Sequence, residues 1–302
     1  MTPCVSVIIP TYKRSDYLER AIESVLKQSY QAIEIVVVDD NAPDSYVRAE
    51  TEAKMLAYEN DSRVTYNRNE TNLGGALARN EGVARASGDY ITFLDDDDIY
   101  LPEKITRQVH YMEENGLDLS FTDVRIHDTA DTLVDFRHHP YVTNLANDEL
   151  LKNHLLHHLT PTASYMFKKE ALHTIGGFDN VAMGQEFMLM LKAIEQGLTI
   201  GYLPEANVIQ YIHDGERISV GANKLAKERE LFAFKQTYFP QLSRAERRYV
   251  TFRHHAVMAV AGKRSGYMRI TATHLLKALV TSPYNCVREL VSHTRKLRQG
   301  NG

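Results

Sequence analysis

The chain has 302 residues, 43% hydrophobic and 25% charged, and its 35 Lys/Arg against 39 Asp/Glu leave a net charge of −4. This is an ordinary globular composition, long enough for one large domain or a domain of roughly 220 residues with an appendage. No apolar run nears the roughly 20 residues of a membrane span, and the start lacks the charged-then-apolar pattern of a secretory leader.

The net charge hides an asymmetry. Residues 244–302 hold twelve of the Lys/Arg and two of the acidic residues, or +10, which leaves −14 for residues 1–243. An acidic body with a basic tail predicts that the tail meets something anionic, with membrane lipid or a phosphorylated acceptor the first candidates. Cys4 and Cys286 stand at opposite ends and form no metal-spaced pair, so free thiols in a reducing cytoplasm are expected.

In chain order, Val5 to Ile9 reads as a strand and Pro10-Thr-Tyr-Lys-Arg14 as the loop leaving it. Ser15 is placed to cap a helix whose apolar positions are Leu18, Ile22, Val25 and Leu26. Glu34 to Val38 is a second strand, ending in Asp39-Asp40-Asn41. A polar helix follows, then a short strand from Arg63 to Tyr66, a loop over Asn69 to Gly75, and a helix from Ala76 to Ala86. Gly88 ends that helix before an apolar strand from Ile91 to Leu94. The alternation predicts a mostly parallel sheet with helices on both faces.

That last strand runs into four consecutive carboxylates, Asp95 to Asp98, before a helix expected to start near Pro102. Four like charges cannot be buried bare, and a divalent cation with hard oxygen ligands, Mg²⁺ or Mn²⁺, relieves their repulsion. An isolated Asp run is more often a solvated turn or cap. Its place at the carboxyl end of a strand, where α/β sheets bind ligands, favours the metal reading here. Asp39-Asp40-Asn41 alone would read as a turn, but it too ends a strand.

Past the acidic run, Glu103 to Glu114 reads as a helix and Leu119 to Thr122 as a strand. Residues 127–160 are rich in His, Asp, Thr and Asn and have weak periodicity. The doublets His138-His139 and His157-His158 invite a zinc reading. Adjacent residues point to opposite sides of a strand and rarely share an ion, so surface histidines are expected. Ala163 to Phe167, Leu198 to Leu203 and Val208 to Ile212 read as further strands, and from Asn223 the pattern is helical. Val287, Leu290, Val291, Thr294 and Leu297 form an apolar stripe there, suited to packing or to a membrane surface.

The motifs Val5-Ser-Val-Ile-Ile-Pro-Thr-Tyr12, Val36-Val-Val-Asp-Asp-Asn41, Asn72-Leu-Gly74 with Ala78-Arg-Asn80, and Gly88 to Asp97 come in an order and spacing that resembles the family 2 glycosyltransferases. The resemblance covers about residues 4–220. It implies the GT-A fold over residues 1–222, followed by a helical basic C-terminal extension over 223–302. It also implies that Pro10, Thr11, Tyr12, Asp40 and Arg79 bind the nucleotide, with Asp39 in support. Asp95, Asp96 and Asp97 correspond to the DXD element, with Asp97 the direct metal ligand and Asp96 near the ribose or a metal-bound water. His213 corresponds to a late metal- and pyrophosphate-side histidine, and Arg217 to a phosphate contact. Ile175-Gly-Gly-Phe-Asp179 precedes the expected catalytic helix, where this chain has Gln185-Glu186 in place of the family's usual Glu-Asp. Glu186 is then the general base.

The resemblance implies a metal-dependent, inverting hexosyl- or N-acetylhexosaminyltransferase using Mn²⁺ or Mg²⁺, with a UDP-sugar as the favoured donor and a glycan or lipid-linked acceptor in polysaccharide biosynthesis. The expected location is cytoplasmic, with peripheral membrane contact through 244–302 and self-association as further partners, and no nucleic acid. Two other readings stay open. One is a sugar-nucleotide-binding subunit whose Gln185-Glu186 has lost turnover. The other is a nucleotidyltransferase, against which the glycine-free Pro10 to Arg14 loop counts.

Overall fold

The computed structural model describes residues 2–181, 184–212 and 222–288. It divides into two compact units, one of residues 1–151, 159–181 and 185–212, the other of residues 152–158, 182–184 and 213–302. His213 and Arg217 lie outside the described residues, as does the apolar stripe beyond Val287.

The first unit is built on a seven-stranded mixed sheet. Its strands are β1 (Val5–Thr11), β2 (Ile33–Asp39), β3 (Val64–Arg68), β4 (Tyr90–Phe93), β6 (Leu119–Thr122), β9 (Met166–Lys168) and β10 (Ile200–Leu203), in the order β10-β6-β9-β4-β1-β2-β3. Only β9 runs antiparallel, against both β4 and β6; the other pairs are parallel. Period-2 alternation divides β1 between two cores. Val5, Val7 and Ile9 join Leu18, Ile22 and Val25 of α1 (Ser15–Leu26), with Ile105 and Met112 of α4 (Lys104–Asn115). Ile8 joins Ala78 and Val83 of α3 (Gly75–Arg85), with Leu189 and Met190 of α7 (Gln185–Glu195). Gly82 lets α3 close on β1, since a Cβ there would meet Ile8 Cγ2 at 2.3 Å.

Several expected boundaries move, each for a local reason. β1 continues through Pro10 to Thr11, in register with Val38 and Asp39 of β2. Ser15 is the first residue of α1 rather than its cap. Arg14 takes the cap position with no side-chain bond to the helix, since a guanidinium has no acceptor to offer the first-turn N–H groups, and it pairs with Asp97 instead. The helix expected near Pro102 starts at Lys104. The stretch from 127 to 160 is more ordered than its weak periodicity suggested. β7 (Val124–Asp128) and β8 (Leu133–Arg137) join β5 (Ile99–Tyr100) and β11 (Val208–Ile212) in a second sheet, ordered β5-β11-β7-β8. Two of the four doublet histidines depart from a surface role. His139 is 4% exposed, its Nδ1 2.7 Å from Tyr141 Oη and its ring packed on Phe121 and Tyr202. His158 has Nε2 against Lys235 Nζ.

The second unit contains α8 (Ala222–Gln236), α9 (Arg244–Arg264) and α10 (Met268–Thr281). α9 opens with a reciprocal cap. Ser243 Oγ accepts from Glu246 N–H at 3.3 Å, and the Glu246 carboxylate accepts from Ser243 N–H at 2.7 Å.

One buried charge site in the first unit yields a stability prediction. Lys104 is 1% exposed, donates from Nζ to Thr92 Oγ1 at 2.6 Å and lies 4.0 Å over the Tyr100 ring. Burial pushes its pKa well below the usual lysine value. The unfolded chain therefore binds more protons up to about pH 10.4, and stability rises with pH through that window. Lys104→Met should stabilise the protein by roughly 1–3 kcal/mol at pH 7 and flatten that slope, because Thr92 Oγ1 keeps Tyr100 Oη at 2.9 Å and Tyr165 O at 2.7 Å. Urea titrations at several pH values check this; a destabilised variant with the slope intact would refute it.

Candidate functional site

Sheet order places the site. β2 and β3 lie on one side of β1 and β4 on the other, so the strand sequence reverses between β1 and β4, and ligands of open α/β sheets bind at such a switch point. The carboxylates at the ends of β2 and β4 flank the end of β1, where Thr11 is buried and Tyr12 is 38% exposed.

On the β2 side, Asp39 and Asp40 are both buried, and they do different work. Asp39 Oδ1 accepts from Asn41 N at 2.9 Å and Asn41 Nδ2 at 2.8 Å, and Oδ2 from Tyr66 Oη at 2.5 Å. Burial and that hydrogen bond push the Tyr66 pKa up. Arg48, on α2 (Tyr46–Met55) and 4% exposed, has Nε 3.1 Å from Asp39 Oδ2 and donates to the carbonyls of Asp39, Asn41 and Asn69. One buried guanidinium thus ties three chain segments together.

Asp40 accepts four hydrogen bonds. Oδ1 takes Leu73 N at 2.8 Å and Asn69 Nδ2 at 2.9 Å; Oδ2 takes Gly74 N at 2.8 Å and Asn72 Nδ2 at 3.0 Å. Four donors fill a carboxylate's capacity, so a base N–H reaching Asp40 would have to replace one of them. In this conformation Asp40 holds the 69–74 loop, and Gly74, at φ +81°, supplies the turn into α3.

On the β4 side, the four aspartates divide. Asp98 is 3% exposed and accepts from Tyr211 N at 3.0 Å and Gln210 Nε2 at 3.2 Å, which fastens β11 to the cluster. Burial first, then the charges of Asp97 and Asp95, push its pKa well up. Asp97 pairs with Arg14, and its carbonyl accepts from Arg20 Nη2 at 2.7 Å. Arg20 also stacks 3.9 Å from the Tyr211 ring centroid. Asp95 pairs with Arg79, which donates onward to Gln185 Oε1 at 3.3 Å. That guanidinium links the acidic cluster to the first residue of α7, with Glu186 the next residue along. Asp96 is pushed up to about 7, by burial first and then by the Asp97 charge.

The fit to a divalent cation rests on Asp96 and Asp97. Asp96 Oδ2 and Thr11 Oγ1 are buried with no well-formed hydrogen bond, and the Thr11 hydroxyl lies close enough to Asp96 to offset part of the upward push on its carboxyl. Arg14, the cation facing this pair, has Nη1 3.9 Å from Asp96 Oδ1. Unsatisfied hard oxygen, next to a carboxylate neutralised by a surface-reaching arginine, is a donor set that Mg²⁺ or Mn²⁺ can take.

Of the residues singled out from sequence, the structure connects Asp95 through Arg79 to Gln185, and Thr11 and Asp97 to Asp96, with Asp39 and Asp40 bracing the neighbouring strand end; Glu186 is the next residue after Gln185 on α7. Arg14, Arg20, Arg48 and Tyr211 were missed. Arg14 stands in the loop after β1 and could have been weighed there. Arg48 carries no sequence signal, because it lies in a polar helix that reads as surface.

The model of the family described as "Glycosyl transferase family 2" matches residues 6–176. A protein of Bacillus subtilis named as a teichuronic acid biosynthesis glycosyltransferase, TuaG, is 34% identical over 199 residues, covering 65% of this chain and 74% of that one. The Escherichia coli protein WfgD, named UDP-Glc:alpha-D-GlcNAc-diphosphoundecaprenol beta-1,3-glucosyltransferase, is 37% identical over 122 residues, 40% of this chain and 46% of its own length. Among solved structures, S. aureus TarS 1-349 in complex with UDP-GlcNAc superposes with a TM-score of 0.63 at 18% identity, covering 92% of this chain and 81% of that one. That likeness carries the GT-A fold.

Proposed function

Since the chain belongs to glycosyl transferase family 2, we infer that it moves a hexosyl or N-acetylhexosaminyl group from a nucleotide-diphosphate sugar, a UDP-sugar first, to a hydroxyl of a glycan or lipid-linked acceptor in polysaccharide biosynthesis. The observation that carries this is the acidic cluster at the β1/β4 switch point, where buried Asp96 lies beside Asp97 and Asp97 pairs with Arg14. The relatives named for teichuronic acid biosynthesis and for UDP-Glc transfer support polymer synthesis and the UDP donor.

In this reading Tyr12 offers an exposed face for the base, with Pro10 and Thr11 lining the strand end, and Arg79 moves from Asp95 to the nucleotide. Asp96 and Asp97 would hold the cation; the metal-side role of His213 and the phosphate role of Arg217 that the family resemblance implies fall outside the described residues. A cation bound there neutralises charge that develops on the leaving pyrophosphate. Glu186 accepts the proton of the acceptor hydroxyl as its oxygen attacks the anomeric carbon from the face opposite the nucleotide. One displacement inverts the configuration.

An acceptor carried by a lipid suits the tail. Leu276, Val280 and Tyr284 are 63%, 73% and 73% exposed, beside the basic residues Arg269 and Lys277. No helix of the described residues is long and apolar enough to cross a membrane, so contact would be at the surface.

A panel of UDP-, GDP- and dTDP-sugars, assayed for nucleotide release with and without Mn²⁺ or Mg²⁺, tests the reading. The expected result is metal-dependent release from a UDP-sugar, enhanced by a lipid-linked acceptor in anionic vesicles, with the enhancement weakened by salt. Binding without turnover across the panel would identify a non-catalytic subunit instead.

A further inference from the structure

Three histidines of the helical unit, His254, His255 and His274, converge although their spacing in the chain matches no metal motif. His254 and His255 are adjacent on α9, and His274 comes from α10, which follows α9 after a three-residue turn. Successive helix positions differ by about 100°, so neighbouring side chains can straddle the line along which a second helix packs. His255 Nδ1 and His274 Nδ1 are 3.2 Å apart. Two nitrogens bound to one tetrahedral zinc at about 2.0–2.1 Å are separated by about 3.3 Å.

One ring nitrogen of each of the three lies within 4.8 Å of the other two. A plain imidazole–imidazole hydrogen bond would account for His255 and His274 but not for His254. That side chain is 7% exposed, and its Nδ1 has no hydrogen-bond partner. Its ring is stacked on Phe232 of α8, centroids 4.0 Å apart and planes 10° apart, which fixes its orientation. Glu228 of α8 brings Oε1 within 3.8 Å of His254 Nδ1, placing a carboxylate beside the cluster. His274 is also nearly buried, while the half-exposed His255 leaves a way in.

The geometry points to a zinc site formed by His254, His255 and His274, separate from the acidic cluster, with the Glu228 carboxylate as its acidic neighbour. Imidazole nitrogens select Zn²⁺ over the Mg²⁺ or Mn²⁺ suited to carboxylates. The site joins α9 to α10, with α8 alongside, in a unit whose buried residues include Leu225, Met258 and Ala261, with Ile270 packed against them. An ion that binds the folded helices alone would stabilise them by mass action.

The test uses the full chain, stripped with chelator and titrated with ZnCl₂ against a chromogenic competitor, with CoCl₂ as the optical probe. The wild type should take one zinc per chain and show the intense visible bands of tetrahedral cobalt. Asp96→Asn with Asp97→Asn should leave both unchanged, which separates this site from the catalytic one. His255→Ala with His274→Ala should weaken zinc binding by at least about tenfold and abolish the bands. If that variant does not fold, X-ray absorption on the zinc-loaded wild type decides, with three imidazole nitrogens expected. The site is refuted if the wild type holds zinc no tighter than the folded double variant, or if absorption shows oxygen ligands alone.

Discussion

Asp97→Ala should remove Mn²⁺- or Mg²⁺-dependent sugar transfer, lowering kcat/KM by roughly 10³-fold, since a metal's stabilisation of a charged transition state is worth several kcal/mol. The change takes away the carboxylate that pairs with Arg14 and leaves Asp96 without its neighbouring carboxylate. Metal affinity should also depend on pH in a definite direction. Asp96, pushed up to about 7, keeps its proton at lower pH in the metal-free folded protein, whereas in the unfolded chain it ionises near 3.9. Folded protein therefore binds more protons between about pH 4 and 7, so this group's contribution to metal-free stability falls as pH rises through that window. Binding a cation must expel the same proton, so affinity should climb toward pH 7 and then level. Titrating activity against Mn²⁺ at several pH values checks both. Turnover by Asp97→Ala with unchanged metal dependence would sink the assignment.

Much of this site was legible in the sequence because strand ends announce themselves. The runs at Glu34–Val38 and Ile91–Leu94 are apolar enough to be buried on both faces, and carboxylates directly after them can only stand at the sheet edge. What was not legible is how those carboxylates are satisfied. Asp40 and Asp98 have the same residue type and setting as Asp96, yet the 69–74 loop fills one and the backbone and side chain of β11 the other. Those partners are 29 to 113 residues away in sequence, so no local pattern encodes them. The second sheet escaped for a similar reason. β5 has two residues, and β8 is almost wholly exposed, so neither carries enough periodic apolar character to stand out. The histidine trio is a third case. His274 comes 19 residues after His255 and 20 after His254, and the packing of α9 on α10 makes it their neighbour.

Glu186→Gln should lower transfer to acceptor by about 10²–10⁴-fold, the usual worth of a general base. The variant keeps the side chain's size and hydrogen bonding and loses proton acceptance. UDP-sugar binding should barely change, because the contact from α7 to the candidate nucleotide residues runs from Gln185 Oε1 to Arg79 and not through the Glu186 carboxylate. The competing account makes Glu186 merely a first-turn charge favoured by the helix dipole, worth about 0.3–1 kcal/mol of stability. On that account Glu186→Gln would shift the unfolding midpoint slightly and leave kcat alone. Gln185 supplies the internal control. Its Oε1 accepts from Arg79 while Arg79 pairs with Asp95, so Gln185→Ala should disturb donor binding through Arg79 rather than the proton transfer. Glu186→Asp sharpens the contrast by shortening the reach by one methylene while keeping the carboxylate. A backbone set back to suit Glu should let Asp recover only part of the lost rate. If alanine at both 185 and 186 left transfer intact, the base would have to lie elsewhere and the displacement step would need a different proton acceptor.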